Sequence, residues 1–337
     1  MTISCEMSFG NGLLSLKVMG KLATATLLFL IAGLLALGSN SVVAAQATKL
    51  VFVRNGNIWV AYSNGTGAQQ LTFSGQDRQP ALSADGRWVA FTSGRAKDSG
   101  FGQIFLMLAG GGDLKPFRPQ GMAGAENPAF APDGLSLVFV GLSNLIVQKG
   151  REDEQARATM SVSLAELKSG QVRQIKKHPH TNLDFGYIYE APVMSADGHL
   201  VAYQQSGSDV SGGFEVVNLK GERLFRLPAD PQEGTPYWRP RFSPDGKEIL
   251  CYSPATMEGQ ADFIFLVDVA TQEKRQITEG ARPTFVEEGR AIVFERRPPE
   301  YKLLGEERSR ADLWRLELTP GAVAQKIIND GAQPAGQ

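Results

Sequence analysis

A short hairpin phrase recurs along the 337-residue chain and limits its fold more than any other feature. Five stretches align: "RQPALSADGRWVAF" from Arg78, "ENPAFAPDGLSLVF" from Glu126, "EAPVMSADGHLVAY" from Glu190, "WRPRFSPDGKEILCY" from Trp238 and "ARPTFVEEGRAIVF" from Ala281. A period of this kind is read before any single strand, because each unit is one element of a repeat architecture. The turn pairs are Asp85-Gly86, Asp133-Gly134, Asp197-Gly198, Asp245-Gly246 and a degenerate Glu288-Gly289. Between apolar runs, Asp-Gly signals a hairpin: Gly takes positive φ at no steric cost, and Asp accepts a hydrogen bond from the backbone two residues on. The prolines at 80, 128, 192, 240 and 283 are expected at the first residue of a strand, where no ladder donor is needed.

A second pair of strand-like runs follows each hairpin, as in "QIFLMLAGGGDLKPF", "MSVSLAELKSGQVRQI" and "FIFLVDVATQEKRQIT". Each repeat then holds four strands in about 45 to 65 residues, the size of a propeller blade. "KLVFVRNGNIWVAYSNGTGAQQLTF" supplies three more strands near the N-terminus, and "DGAQPAG" at the C-terminus echoes "QDRQPAL" and can supply the missing innermost one. The expected fold is therefore all-β: a six-bladed β-propeller of four-stranded antiparallel blades over residues 46–337, closed by N- and C-terminal strands sharing one blade.

The Pro-x-Phe-Ser-Pro-Asp-Gly hairpin, with the later "IFLVDVATQEKRQIT" type of strand pair, resembles the repeat of TolB-like β-propellers over nearly all of residues 49–337. TolB itself carries a separate α/β domain ahead of its propeller, whereas here the first strand begins a few residues after an expected cleavage site, so a propeller without that domain is expected. The resemblance implies the fold and leaves the activity open, since propellers of this kind do different jobs.

Lys17 and Lys21 precede an uncharged apolar run from Leu22 to Leu37, followed by "GSNSVVAAQA". This order reads as a secretory signal over residues 1–45, cleaved after Ala45 or Ala47, with Met19 as an alternative start. An uncleaved anchor is the competing reading, although the run is shorter than the ~20 residues of a spanning helix. A periplasmic or otherwise extracytoplasmic protein is expected. Its cysteines are Cys5, inside the signal, and Cys251, so cleavage leaves no intramolecular disulfide.

A formal charge of −1 gives no electrostatic reason to expect nucleic acid. The sequence has no Gly-x-Ser-x-Gly elbow, no phosphate-binding loop opening a helix and no zinc-spaced Cys or His cluster. Cys251 aligns with Phe91, Phe139, Tyr203 and Phe294, which places a structural thiol in the core. His199 follows a turn at a mostly basic position. His178 and His180 can share one side of an extended segment, but two histidines without a third make an exposed loop the better reading, and no metal or other cofactor is assigned. The turn aspartates recur, which argues hairpin chemistry rather than catalysis.

In a propeller the turns between strands 1 and 2 and strands 3 and 4 share one face; the strand 2–3 loops and inter-blade links share the other. The first class is short here. The second is long and irregular in "SGRAKDSGFG", "GLSNLIVQKGREDEQARAT", "QSGSDVSGG", "SPATMEGQA" and "RRPPEYKLLGEERSR". Residues just before each proline are expected to meet at the channel mouth on the loop-rich face: Asp77, Arg78, Gln79, Glu126, Asn127, Tyr189, Glu190, Trp238, Arg239, Arg282 and Gln333. The expected function is non-catalytic binding of an envelope protein or peptide by a monomer that meets the membrane only through its transient signal. The alternative is a carbohydrate-active lyase or hydrolase, with Glu126, Glu190, Arg78 and Arg239 as first candidates.

Overall fold

Apolar runs such as Leu50-Val51-Phe52-Val53 and Val89-Ala90-Phe91 leave a strand no polar face, so both of its sides must be covered. The computed structural model meets that demand with sheets packed face to face. It describes residues 8–9, 12–13, 47–95, 102–149, 154–182, 189–207, 210–228, 236–255, 261–297 and 311–336. The chain divides into two units, Met1–Gln46 and Ala47–Gln337. The expected signal segment lies outside the described residues, apart from the paired two-residue strands Ser8–Phe9 and Gly12–Leu13.

The second unit is a six-bladed propeller of four-stranded antiparallel sheets. Blade 1 is the shared one, its order running from Ala332–Gly336 at the axis through Lys49–Arg54 and Asn57–Tyr62 to Gln69–Gln70. Blades 2 to 6 begin with the inner strands Asp77–Leu82, Gly124–Phe130, Tyr189–Met194, Trp238–Phe242 and Ala281–Val286. Each inner strand packs against the inner strands of both neighbouring blades, and the C-terminal strand bridges blades 6 and 2 to close the circle.

Six apolar clusters hold the ring, one at each seam between blades. Alternation divides each strand between two seams: Val51 and Val53 face blade 2, Leu50 and Phe52 face blade 6. Phe91, Phe139, Tyr203, Cys251 and Phe294 are all fully buried at matching positions. The Cys251 thiol is pushed well up by burial, which fits a core residue rather than a nucleophile.

The turn face is built as the repeat predicts. In blades 2, 4 and 5 the serines Ser83, Ser195 and Ser243 each donate to the aspartate two residues on at 2.6 Å, and that aspartate accepts the backbone N–H of Arg87, His199 or Lys247. The serine hydroxyl first, then the backbone N–H, holds Asp85, Asp197 and Asp245 below the usual carboxylate range. His199 is exposed at this turn. The degenerate blade 6 turn replaces this with a seam lock. Buried Glu287 takes two bonds from Arg315, at 2.7 and 3.1 Å, and one from Ser63 of blade 1 at 2.7 Å. Burial raises its pKa, but Arg315 and Ser63 outweigh burial and keep it low.

Two expectations are corrected. The prolines lie inside the inner strands rather than at their first residue: Pro80 is in Asp77–Leu82 and Pro128 in Gly124–Phe130. They are tolerated because the strand is the sheet edge facing the channel and its pairing slips at a bulge there, between Arg78 and Ala81 and between Glu126 and Ala129. Second, "GLSNLIVQKGREDEQARAT" is no irregular loop along most of its length. Ser136–Lys149 and Glu154–Glu166 pair as a long ribbon, joined on its outer side by Val172–Asn182, and Gly207 pairs with Val210 in blade 4. His178 and His180 sit on that outer strand of blade 3 rather than in a loop.

Candidate functional site

The inner strands frame a central channel lined by Gln79, Pro80, Asn127, Pro128, Ala191, Pro192, Arg239, Arg241, Arg282, Pro283, Gln333 and Pro334. The C-terminal strand thus contributes a sixth copy of the same X-Pro pair. Every residue before these prolines has a left-handed backbone: φ is 54° at Gln79, 53° at Asn127, 47° at Ala191, 55° at Arg239, 47° at Arg282 and 51° at Gln333. A non-glycine residue there costs of order 1–2 kcal/mol, against the extended preference of a residue before proline. The conformation persists because neighbouring blades take up the turned backbone N–H groups of Gln79, Asn127, Ala191, Arg239 and Gln333.

Gln79 N–H donates to the side-chain oxygen of Gln333 at 2.6 Å, Asn127 N–H to that of Gln79 at 3.3 Å, and Ala191 N–H to that of Asn127 at 3.4 Å. Amides thereby link blades 1 to 4 in sequence. A second-strand side chain of the preceding blade shares the Asn127 N–H, through Thr92 at 3.0 Å, and serves two further positions: Gln204 for Arg239 at 3.3 Å and Glu295 for Gln333 at 2.6 Å.

Five of the eleven expected mouth residues line the channel: Gln79, Asn127, Arg239, Arg282 and Gln333. The other six are not among the lining residues. Asp77 is buried against Arg95 at 2.5 Å and Ser93 at 2.6 Å. Burial raises the Asp77 pKa, but these partners, Arg95 foremost, bring it below the ordinary carboxylate value. Glu126 is buried against Arg78 at 3.0 Å and accepts Gly102 N–H at 2.8 Å. Tyr189 packs edge-on against Tyr203 in the seam of blades 3 and 4, and burial, then the Glu215 carboxylate, pushes its phenol up to about 12. Trp238 packs edge-on against Tyr252. Glu190 stands 3.9 Å from Arg239, and Glu295 2.8 Å from Arg282.

Arg241 lines the channel without having been expected there. The signal was present in the repeat: the residue after the proline is Ala81, Ala129, Val193, Thr284 or Ala335 in the other blades. A repeated stacking motif was also missed. Arg54, Arg95 and Arg296, each at or just past the end of a second strand, lie 4.7 Å over Trp59, 5.0 Å over Phe105 and 4.9 Å over Trp314.

No protein-family model matches the sequence, and comparison with curated proteins finds no match. Solved structures do match. TolB from Acinetobacter baumannii superposes with a TM-score of 0.61 at 17% identity, covering 100% of this chain and 82% of that one. A putative TolB from Agrobacterium tumefaciens gives 0.59 at 15% identity, covering 85% and 91%. The fold is that of a TolB-like propeller. An oligogalacturonate lyase from Vibrio parahaemolyticus is also similar, with a TM-score of 0.50 at 15% identity over 81% of this chain and 71% of its own. At these identities the likeness speaks for the propeller and not for any one activity.

Proposed function

We propose that this propeller is a non-catalytic recognition module of the periplasm or cell envelope that engages a protein or peptide at the channel mouth. The observation that carries this reading is the ring of six left-handed residues around the channel. Strain of that kind is kept where the surrounding structure over-determines it, and it clusters at functional positions. The leader-like N-terminal sequence supports work outside the cytoplasm, and the TolB-like fold is consistent with a rigid ring presenting a binding face. The lyase or hydrolase reading is less well supported, because of its four first candidates only Arg239 is a lining residue, and Glu126 is buried and paired with Arg78.

A photo-reactive residue in place of Gln79, compared with one in place of Lys247 on the turn face, tests the reading in native envelopes. Adducts with a discrete partner are expected from position 79 and not from 247. Adducts from the turn face alone would overturn the choice of face. N-terminal sequencing of the exported protein should find Gln46 or Thr48 first; residue 1 retained on a cytoplasmic protein would refute the assigned compartment.

A further inference from the structure

Arg239, Arg241 and Arg282 all line the same side of the channel, in blades 5 and 6. Two have carboxylates close by, Glu190 for Arg239 and Glu295 for Arg282, and neither carboxylate is part of the lining. Arg241 makes no ion pair among the described residues; its hydrogen bond goes from Nη1 to the Pro240 carbonyl at 3.0 Å. Burial, then the nearby Arg239 guanidinium, lowers its pKa to about 10, the mark of a cation short of compensation. Arg282 adds a buried Nε that has no acceptor among the described residues. An unsatisfied buried donor is costly, and beside it Arg241 is a channel-lining cation with no ion pair among the described residues.

The architecture does not require this arginine. The other blades build the same bulge with Ala81, Ala129, Val193, Thr284 and Ala335 at its position. Guanidinium groups offer paired, coplanar N–H donors that match a carboxylate, which accepts two of them at once. The funnel encloses only about 30 Å³ of water-accessible space and opens to solvent, so it admits one carboxylate while the rest of its molecule stays in the open mouth.

We propose that the arginine wall of the channel is an anion site for a small di- or tricarboxylate. One carboxylate meets the free edge of Arg241, and the Arg239 and Arg282 guanidinium groups add positive charge on the same wall. This site goes beyond the recognition of a protein partner and does not depend on it.

Isothermal calorimetry and thermal unfolding of the propeller protein test it, with citrate and malonate against phosphate and against chloride at matched ionic strength. Wild type should show saturable stabilisation by citrate or malonate beyond chloride. Arg241→Thr, which copies blade 6, should weaken that binding at least about tenfold while unfolding at the same or a higher temperature without ligand. Arg241→Lys keeps the charge but not the fork, and should also lose most of the affinity. No saturable effect in wild type, equal effects in wild type and both variants, or stronger binding of phosphate than of either carboxylate would overturn the proposal. The assay uses no protein partner, so it can succeed or fail independently of the cross-linking result.

Discussion

Blades 1 to 3 present Gln333, Gln79 and Asn127 to the channel, whereas blades 4 to 6 present Ala191, Arg239 and Arg282, with Arg241 beside them. The backbone is the same in both halves, left-handed before each proline. In the first half an amide side chain reaches to the next blade and accepts its turned N–H, so the lining is neutral and satisfied. The second half cannot repeat this, because Ala191 has no side-chain acceptor and arginine carries donors only. Within it the Arg239 N–H donates to Gln204 of the preceding blade's second strand, and the guanidinium groups of this half face the channel. One half of the ring is occupied in holding itself together, and the other has donors to spare.

The largest test of this contrast removes residues 332–337, taking away Gln333 and the inner strand of blade 1. The ring then has an open edge and the amide relay loses its first member, so loss of cooperative urea unfolding is expected; a retained native transition would show that closure is dispensable. Next in size is Glu295→Ala in the arginine half. It strands Arg282 and the Gln333 N–H together, with an expected loss of about 3 kcal/mol by urea titration. Gln79→Ala in the amide half should cost only about 1 kcal/mol, the value of a neutral hydrogen bond. Were the two losses equal, the halves would not differ as described.

Glycine substitutions separate strain from bonding. Ala191→Gly relieves a left-handed alanine that bonds nothing through its side chain, and should stabilise by about 0.5–1 kcal/mol. Asn127→Gly relieves the same strain but loses the bond to Ala191, so it should be neutral or destabilising. The smallest effect belongs to the turn face. Asp85, Asp197 and Asp245 have folded pKa values below the ordinary 3.8. Their contribution is complete above that value and is lost as the pH falls through the lower folded values. Replacing all three by Asn should flatten the slope of melting temperature between about pH 5 and pH 3; an unchanged slope would locate the acid sensitivity elsewhere, in Asp77 or Glu287.

The turns and the seams were legible because they rest on local chemistry. Asp-Gly carries its own hairpin, and a run such as Val89-Ala90-Phe91 announces two covered faces before any partner is known. The echo of "QDRQPAL" in "DGAQPAG" was enough to predict closure, and Pro334 lies in the channel ring beside Pro80. The mouth was legible only in part. Counting back from each proline found Gln79, Asn127, Arg239, Arg282 and Gln333, but the same rule took in Tyr189 and Trp238, which pack against tyrosines. A bulge resets which side chains face the axis, and nothing in the one-dimensional pattern marks that reset.

The sequence by itself determined a closed ring of six sheets, because hairpin chemistry and two-sided apolar strands are properties of short segments. Only the tertiary structure decided which side chains of that ring meet across the axis. Those contacts join residues of different blades, as Gln333 with Gln79 and Asn127 with Ala191 show. Their partners are set by packing geometry, not by neighbours along the chain, and the charge of the channel follows from that geometry.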